Sequence, residues 1–482
     1  MFDFRPILYI IGILLTTLAA AMCAPLVADL VVGHPDWKVF AGAAALTAFT
    51  GITLLLSARA PPERLTVRQA FVLTTASWLA MTFFASFPFA FADLELSFTD
   101  AFFEAMSGLT TTGSTVINNL DSAPSGILLW RAILQWLGGI GIIVMSVAIL
   151  PMLKIGGMQL FRTESSDRSE KVLPRIAQVA SGVGFTYLGL TALCAALLWA
   201  VGLKGFDAIA HAMTTIATGG FSTRDASVGA FANPMAEVII TVFMLLGALP
   251  FVLYLQAMRG KPFDLFRDTQ VRWFLSIVAI CILAVAIAHE FNNDIGIGRA
   301  LRESAFNTVS IMTGTGYASA DYAAWGGFST GVFFFIMFIG GCAGSTTCSI
   351  KIFRFQVLYE TSKAQMKRLI RPHGMFVATF NGQPITDEVE SSVMSFFFLF
   401  TVTFAALSMA LHFIGLDFLT AISGAATAIC NVGPALGDII GPTGNFSSLP
   451  DSAKWVLSIG MLLGRLELFT VLVLFAPWFW RS

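Results

Sequence analysis

The sequence predicts an all-α polytopic membrane protein, with four pseudo-symmetric repeats of span, short helix and span, preceded by two additional N-terminal transmembrane helices. Three observations predict it. Of 482 residues, 56% are hydrophobic and 12% charged, against roughly 45–50% and 25% in soluble domains. A mean hydropathy of +0.79 leaves too little polar surface to coat water-soluble cores. Finally, a short apolar segment followed by a Gly-rich loop recurs four times along the chain.

A span needs about 20 apolar residues to cross a hydrocarbon core of about 30 Å. Ten segments qualify: Ile7 to Val32, Val39 to Ser57, Phe71 to Phe91, Ile127 to Leu153, Ile176 to Leu203, Met235 to Ala257, Trp273 to His289, Phe328 to Ile339 continuing through Lys351, Val393 to Ile414, and Trp455 to Phe479. The first reads as an uncleaved anchor, because Met22 stands where a lipoprotein cleavage site ahead of Cys23 wants a small residue. Four apolar segments are too short to cross: Thr99 to Leu109, Phe206 to Ile216, Arg299 to Met312 and Phe418 to Ile429. Each runs directly into a loop rich in Gly, Thr or Asn. The loops are Thr110 to Ser114, Ala217 to Phe221, Thr313 to Tyr317 and Cys430 to Pro434. Their aligned glycines, Gly113, Gly220, Gly316 and Gly433, are spaced 107, 96 and 117 residues apart. Such a period implies fourfold pseudo-symmetry about an axis. It divides the chain into two N-terminal helices (1–67) and repeats at 68–160, 161–262, 263–372 and 373–482.

The net charge of −1 excludes the concentrated basic surface of a nucleic-acid binder. Its distribution orients the chain. With both termini cytoplasmic, most of the 28 basic residues fall on the inner side, among them Arg5, Arg59, Arg64, Lys154, Arg162, Arg168, Lys171, Arg175, Arg259, Lys261, Arg267, Arg272, Lys351, Arg354, Lys363, Lys367, Arg368 and Arg371, as the positive-inside rule requires. All four Gly loops then open outward, where Asp100, Glu104, Asp121, Asp207, Asp225, Glu303, Asp321, Asp417 and Asp438 outnumber the bases. Together they predict an acidic vestibule that concentrates cations.

Non-helical backbone at membrane depth needs protein or a water-filled cavity beside it, and a central pore supplies one. Short helices entering from outside would aim their partly negative C-terminal ends at the axis, which favours a cation there. Gly and Thr residues beyond them could then turn a ring of carbonyls inward in place of a cation's water shell. One loop such as Ala217 to Phe221 would equally be an ordinary helix C-cap; four in register, each after a matching short helix, point to a pore.

With these motifs in place, the chain resembles the membrane subunit of the Trk/Ktr/HKT superfamily of potassium transporters, closest to the bacterial TrkH branch, over essentially its whole length. The resemblance implies a potassium-binding selectivity filter formed by Gly113, Gly220, Gly316 and Gly433 with the preceding Thr111, Thr112, Thr218, Gly219, Gly314, Thr315, Asn431 and Val432. Glycine rather than serine at position 113 points to potassium over sodium. The fourth loop departs most, through Asn431, Val432 and Pro434. The resemblance further implies potassium uptake across the bacterial inner membrane, no covalent cofactor beside the bound K+ ion, a homodimer in the lipid bilayer, and a separate cytosolic nucleotide-binding regulator of the TrkA type.

Two features below the filter bear on gating. Gly340, Gly341, Cys342, Ala343, Gly344, Ser345, Thr346, Thr347, Cys348 and Ser349 form a run of small and polar residues inside a Phe-rich span. Such a run either lines a cavity as an intramembrane loop or makes a close helix-packing stripe through Gly340 and Gly344; the resemblance favours a loop that obstructs the pore. Arg465, in the middle of the last span, either faces the pore below the filter or pairs with Glu467, although residues two apart on a helix do not face each other.

Other classes fit less well. Gly327 to Gly331 matches G-x-S-x-G, but the nucleophile elbow needs a strand-to-helix turn and this motif opens a span. The five histidines include no HExxH pair and there is no P-loop lysine motif, so no catalytic residue is expected; His211 reads as packing within the second short helix. The six cysteines are unclustered, which argues against a zinc site or a disulfide framework. A sodium- or proton-coupled secondary transporter is the closer alternative, but it would show two repeats and carboxylates within its spans.

Overall fold

The computed structural model describes residues 2–58, 65–148, 157 and 172–481. Among them, seven helices are long and apolar enough to cross a membrane: Arg5–Val32, Trp37–Ser57, Val67–Phe91, Ser125–Ser146, Val179–Ala200, Thr269–Asn293 and Asp387–Phe413. The chain is a multi-pass membrane protein. Their exposed faces carry residues such as Phe49, Phe185 and Phe398, each 70% or more exposed, a surface suited to lipid tails rather than water. The four short helices lie within two residues of their expected bounds, at Phe98–Leu109, Gly205–Ile216, Ile297–Met312 and Phe418–Cys430. A small hairpin, Thr379–Phe380 against Gln383–Pro384, is the one sheet among the described residues.

The two N-terminal helices pack on the first repeat. Asp29, fully buried, accepts from the Gly126 amide at 2.6 Å. Phe40 meets Trp130 edge-on at 6.3 Å.

Three expected spans are corrected, and all three are the second span of a repeat. The run Met235 to Ala257 is two helices, Pro234–Ala248 and Phe251–Met258, bent by 93°. Pro250 has no amide to donate and its ring excludes a helical continuation. The run Trp455 to Phe479 also breaks, by 107°, between Asp451–Arg465 and Phe469–Phe475. No proline explains that break; Glu467 and Leu468 both take positive φ, at 62° and 34°. In the third repeat the helix is only Gly327–Ile336, and the chain from Gly340 to Ser349 is not helical. The helix-stripe reading of Gly340 and Gly344 is thereby excluded.

The charge map is also corrected. Lys351 and Arg354, read as connector bases, are 6% and 0% exposed inside the protein. Arg59, Arg64, Lys154, Arg162, Arg168 and Lys171 lie outside the described residues, as does the Arg175 side chain. The outer acids are mostly committed to internal partners: Glu104 to Arg131, Asp207 and Asp121 to Arg224, Glu303 to Arg299 and His289, and Asp100 to Lys454. Asp225 accepts from the Leu120 amide. Asp417 caps the Thr420 amide at 3.1 Å, and its bonds from Thr420 hold its carboxyl below the ordinary carboxylate range. The vestibule is therefore less negative than the acid count implies.

Candidate functional site

All four short helices end in the same way. The residue at the cap has a left-handed backbone, the next does not, and the glycine after that does. The φ pairs are 53° and 90° at Thr111 and Gly113, 50° and 77° at Thr218 and Gly220, 68° and 79° at Gly314 and Gly316, and 53° and 107° at Asn431 and Gly433. Hydrogen bonds repeat in register. Thr111, Thr218, Gly314 and Asn431 amides donate to the carbonyls of Gly108, Thr215, Ile311 and Ala428 at 3.0, 3.0, 3.0 and 3.3 Å. The next amides, of Thr112, Gly219, Thr315 and Val432, reach Ser107, Thr214, Ser310 and Thr427 at 2.9, 2.9, 2.8 and 3.1 Å. This is the Schellman cap. The C-cap reading and the pore reading thus describe one structure, because the cap begins the loop and uses its amides inward toward the helix, leaving carbonyls for the opposite side.

The four loops close on one another. A Cβ on Gly113 would lie 2.3 Å from the Gly219 oxygen; on Gly220, 1.8 Å from Thr315 oxygen; on Gly316, 1.9 Å from Val432 oxygen; and on Gly433, 2.7 Å from Thr112 oxygen. Each glycine faces a carbonyl of the next loop, from first to second, third, fourth and back to first. The four loops therefore form a closed ring, approached by the C-terminal ends of four helices, where the peptide dipoles place partial negative charge. Ser114 Oγ donates to the Gly433 carbonyl at 2.8 Å and Asn431 Nδ2 to Thr112 Oγ1 at 2.9 Å, which joins the first and fourth loops. Asn431, the apparent outlier, takes the left-handed cap and supplies a cross-ring bond.

Beneath the ring lies the Gly340–Ser349 segment. It is held on several sides. Thr346 and Cys342 amides donate to the Gly247 and Ala248 carbonyls at 3.2 and 3.0 Å, satisfying the helix end that Pro250 leaves open, and the Phe251 amide returns a bond to Gly344 at 3.0 Å. Thr218 Oγ1 donates to Thr346 Oγ1 at 3.1 Å, directly from the second loop. The Ser349 amide and hydroxyl reach the Cys430 carbonyl at 3.2 and 3.0 Å, at the end of the fourth short helix. Lys351 Nζ donates to the Thr347 carbonyl and, at 3.2 Å, to its hydroxyl. Ser345 and Thr347 hydroxyls join at 2.8 Å.

Arg465, 1% exposed, does not pair with Glu467. Its guanidinium donates to the Thr346 carbonyl at 3.2 Å, to Cys348 Sγ at 2.5 Å and to the Gly138 carbonyl at 2.8 Å. Glu467 pairs instead with Arg354, whose guanidinium also lies 3.7 Å from the centre of the Phe396 ring. Two side chains two residues apart thus take different partners, one on the Gly340–Ser349 segment and one on helix Ile352–Ile370. A small cavity of about 20 Å³, room for about one water, is lined by Arg465, Lys351 and Glu467 together with Ser345, Thr347 and Cys348.

Comparison with known proteins decides the family. The family model TrkH, described as a cation transport protein, matches residues 37–481. The chain is 47% identical to the Trk system potassium uptake protein TrkI of Halomonas elongata, over 99% of this chain and 97% of that protein. It is 38% identical to the Trk system potassium uptake protein TrkH of Vibrio parahaemolyticus over the full length of both. The crystal structure of the potassium transporter TrkH from Vibrio parahaemolyticus superposes with a TM-score of 0.92 at 36% identity, covering 100% of each chain. The chain belongs to the TrkH family of cation transport proteins.

Within this TrkH-family chain, the residues that brace the ring are ones that sequence reasoning missed. Arg131, 1% exposed, donates to Glu104 at 2.8 Å and to the Ser222 carbonyl at 2.6 Å, and lies 4.0 Å over the Phe221 ring. Glu104 also accepts from Thr115 Oγ1 at 3.0 Å and the Val116 amide at 2.9 Å. One turn on, Gln135 donates to the Gly219 carbonyl at 2.5 Å and accepts from the Phe221 amide at 3.0 Å. The first repeat thus fixes the second loop. The available signal was Arg131 and Gln135 inside an apolar run, where polar groups mark a functional or structural partner. His211 packs as expected and also bonds the Asp207 carbonyl at 2.8 Å and Ser222 Oγ at 3.0 Å. The Tyr317 hydroxyl, bonded to Thr214 Oγ1, links the third loop to the second short helix.

Proposed function

We propose that this protein takes up potassium across the bacterial inner membrane, with both termini cytoplasmic, by passing K+ through the ring of four loops and past a gate formed by Gly340–Ser349 and Arg465. The observation that carries the reading is the closed ring: four left-handed loops whose carbonyls face the neighbouring glycine in unbroken cyclic order. Carbonyl rings of this kind replace a cation's hydration shell. The names of the relatives, Trk system potassium uptake proteins, favour K+ as the ion. The gate reading rests on a segment bonded to the second and fourth loops and to a buried arginine in the last inner helix. A homodimer regulated by a cytosolic nucleotide-binding subunit of the TrkA type accords with the exposed end of helix Ile352–Ile370. There Leu369 and Ile370, 75% and 79% exposed, stand among Lys363, Lys367, Arg368 and Arg371.

Reversal potentials in reconstituted protein test it. Across opposed K+ and Na+ gradients the wild type should reverse near the potassium potential, and Gly113→Ser should move reversal toward sodium. A reversal that tracks a proton or sodium gradient in the wild type would replace channel-like flow with coupled transport. Unchanged selectivity in folded Gly113→Ser would remove the first loop from the filter.

A further inference from the structure

One end of helix Thr269–Asn293 carries an open groove of about 430 Å³, lined by Thr269, Arg272, Trp273, Ser276 and Ile277. We propose that this groove binds an anionic phospholipid, with its phosphate beside Arg272 and its acyl chains against Trp273 and Ile277. The chemistry is graded along the helix. Arg272 is exposed and one of its Nη atoms donates to the Arg267 carbonyl at 3.1 Å, which holds the guanidinium at the groove mouth with further donors free to turn outward. Arg259, Lys261 and Arg267 are likewise exposed on the preceding segment and enter no ion pair among the described residues. The acids nearby are Asp264 and Asp268, and Asp268 is taken up in capping the helix, accepting from the Gln270 amide at 2.8 Å and from Asn381 Nδ2 at 3.1 Å. Bases therefore outnumber acids on the segment that leads into the helix. Phe263 and Phe266, 71% and 63% exposed, stand among them, the mixture of rings and cations that settles at headgroup level.

Toward the membrane interior the groove runs into an exposed apolar stripe, Ile280, Leu283 and Ile287. At 1.5 Å rise per residue, Ile280 and Leu283 lie about 12 and 16 Å from Arg272, the depth of one leaflet in a hydrocarbon core of about 30 Å. A cationic mouth that opens onto a lipid-facing stripe matches a charged headgroup joined to acyl chains. A second copy or a protein partner would cover the phenylalanines but would not need the gradient. The start of the same helix also contacts the Gly340–Ser349 segment and helix Ile352–Ile370. Gln270 Oε1 accepts from the Ala343 amide at 3.0 Å, the Thr269 carbonyl from Gln356 Nε2 at 2.9 Å, and the Trp273 ring stands 5.2 Å from Tyr359.

Brominated-chain lipids test the proposal, since bromine quenches a tryptophan it touches. Full-length protein in detergent is titrated with brominated phosphatidylglycerol and, separately, brominated phosphatidylcholine, and the Trp273 signal is taken as wild type minus Trp273→Phe. Phosphatidylglycerol should quench that signal at lower concentration. Each base removed, in Arg272→Gln or Lys261→Gln, should weaken it roughly five-fold, the factor that about 1 kcal/mol per surface base gives, and leave phosphatidylcholine unchanged. Inorganic phosphate should not compete, because the chains supply much of the contact; full competition would assign the mouth to free phosphate and overturn the lipid. Equal quenching by the two lipids, no loss in either variant, or quenching by neither because protein covers the groove would each overturn it. Lys261→Gln, at an exposed position, keeps the test valid should Arg272→Gln fold poorly.

Discussion

At the scale of single residues, the ring is decided by four glycines whose missing Cβ atoms are the space in which neighbouring carbonyls sit. A left-handed backbone costs an L-residue about 1–2 kcal/mol, and the steric cost is added to it. The series should therefore be graded. Gly220→Ala and Gly316→Ala, with Cβ positions 1.8 and 1.9 Å from an oxygen, should damage the ring most, Gly113→Ala at 2.3 Å less, and Gly433→Ala at 2.7 Å least. Potassium-to-sodium permeability and thermal melting of each purified variant measure this order; four equal effects would show that backbone handedness, not the neighbouring oxygen, sets the requirement. The same geometry bears on Gly113→Ser, whose altered selectivity should come with measurable destabilisation, because its Cβ forces the Gly219 carbonyl to move.

At the scale of elements, three inner spans break just below the ring, each in a different way: at Pro250, in the run of small residues after Ile336, and at Glu467–Leu468. The Gly340–Ser349 segment fits between them because the breaks leave carbonyls that it can bond. Arg465 fastens it from above Glu467 and across to Gly138. Removing Arg465 takes away both a buried positive charge and the bond to Thr346. Arg465→Ala should raise basal potassium flux, Arg465→Lys should stay nearer wild type, and shortening Gly344–Thr347 should raise flux most. Isotope flux, normalised to folded protein recovered, is the measurement. Lower yield with unaltered normalised flux for Arg465→Ala would make the arginine structural only.

At the scale of the whole molecule, the repeats are held together by buried polar bonds rather than by apolar packing alone, since lipid tails offer helices little hydrophobic reason to associate. Glu104, Arg131 and Gln135 carry the contact from the first repeat to the second loop. Breaking one side of a buried pair costs about 3–5 kcal/mol, while replacing both with apolar residues costs far less. Arg131→Met and Glu104→Leu should each lower melting strongly, and the double variant Arg131→Met/Glu104→Leu should recover part of the loss. A double-mutant cycle in detergent reads the coupling, and strict additivity would mean that the two side chains act independently.

The sequence by itself determined the elements whose signal is local. The four short helices and seven straight spans follow from apolar run length, and the four glycines follow from their period. It also marked the run Gly340–Ser349 as unusual, but left it open between an intramembrane loop and a helix-packing stripe, and the structure excluded the helix. Only the tertiary structure decided the pairings. Glu467 binds Arg354 rather than Arg465, Arg131 binds Glu104, and Lys351 turns inward to Thr347. Such pairings join residues far apart in the chain, and charge spacing along one helix says nothing about which neighbour arrives. The break at Glu467–Leu468 was likewise hidden from the sequence: no Pro or Gly marks it, and only the folded backbone shows the two positive φ values there.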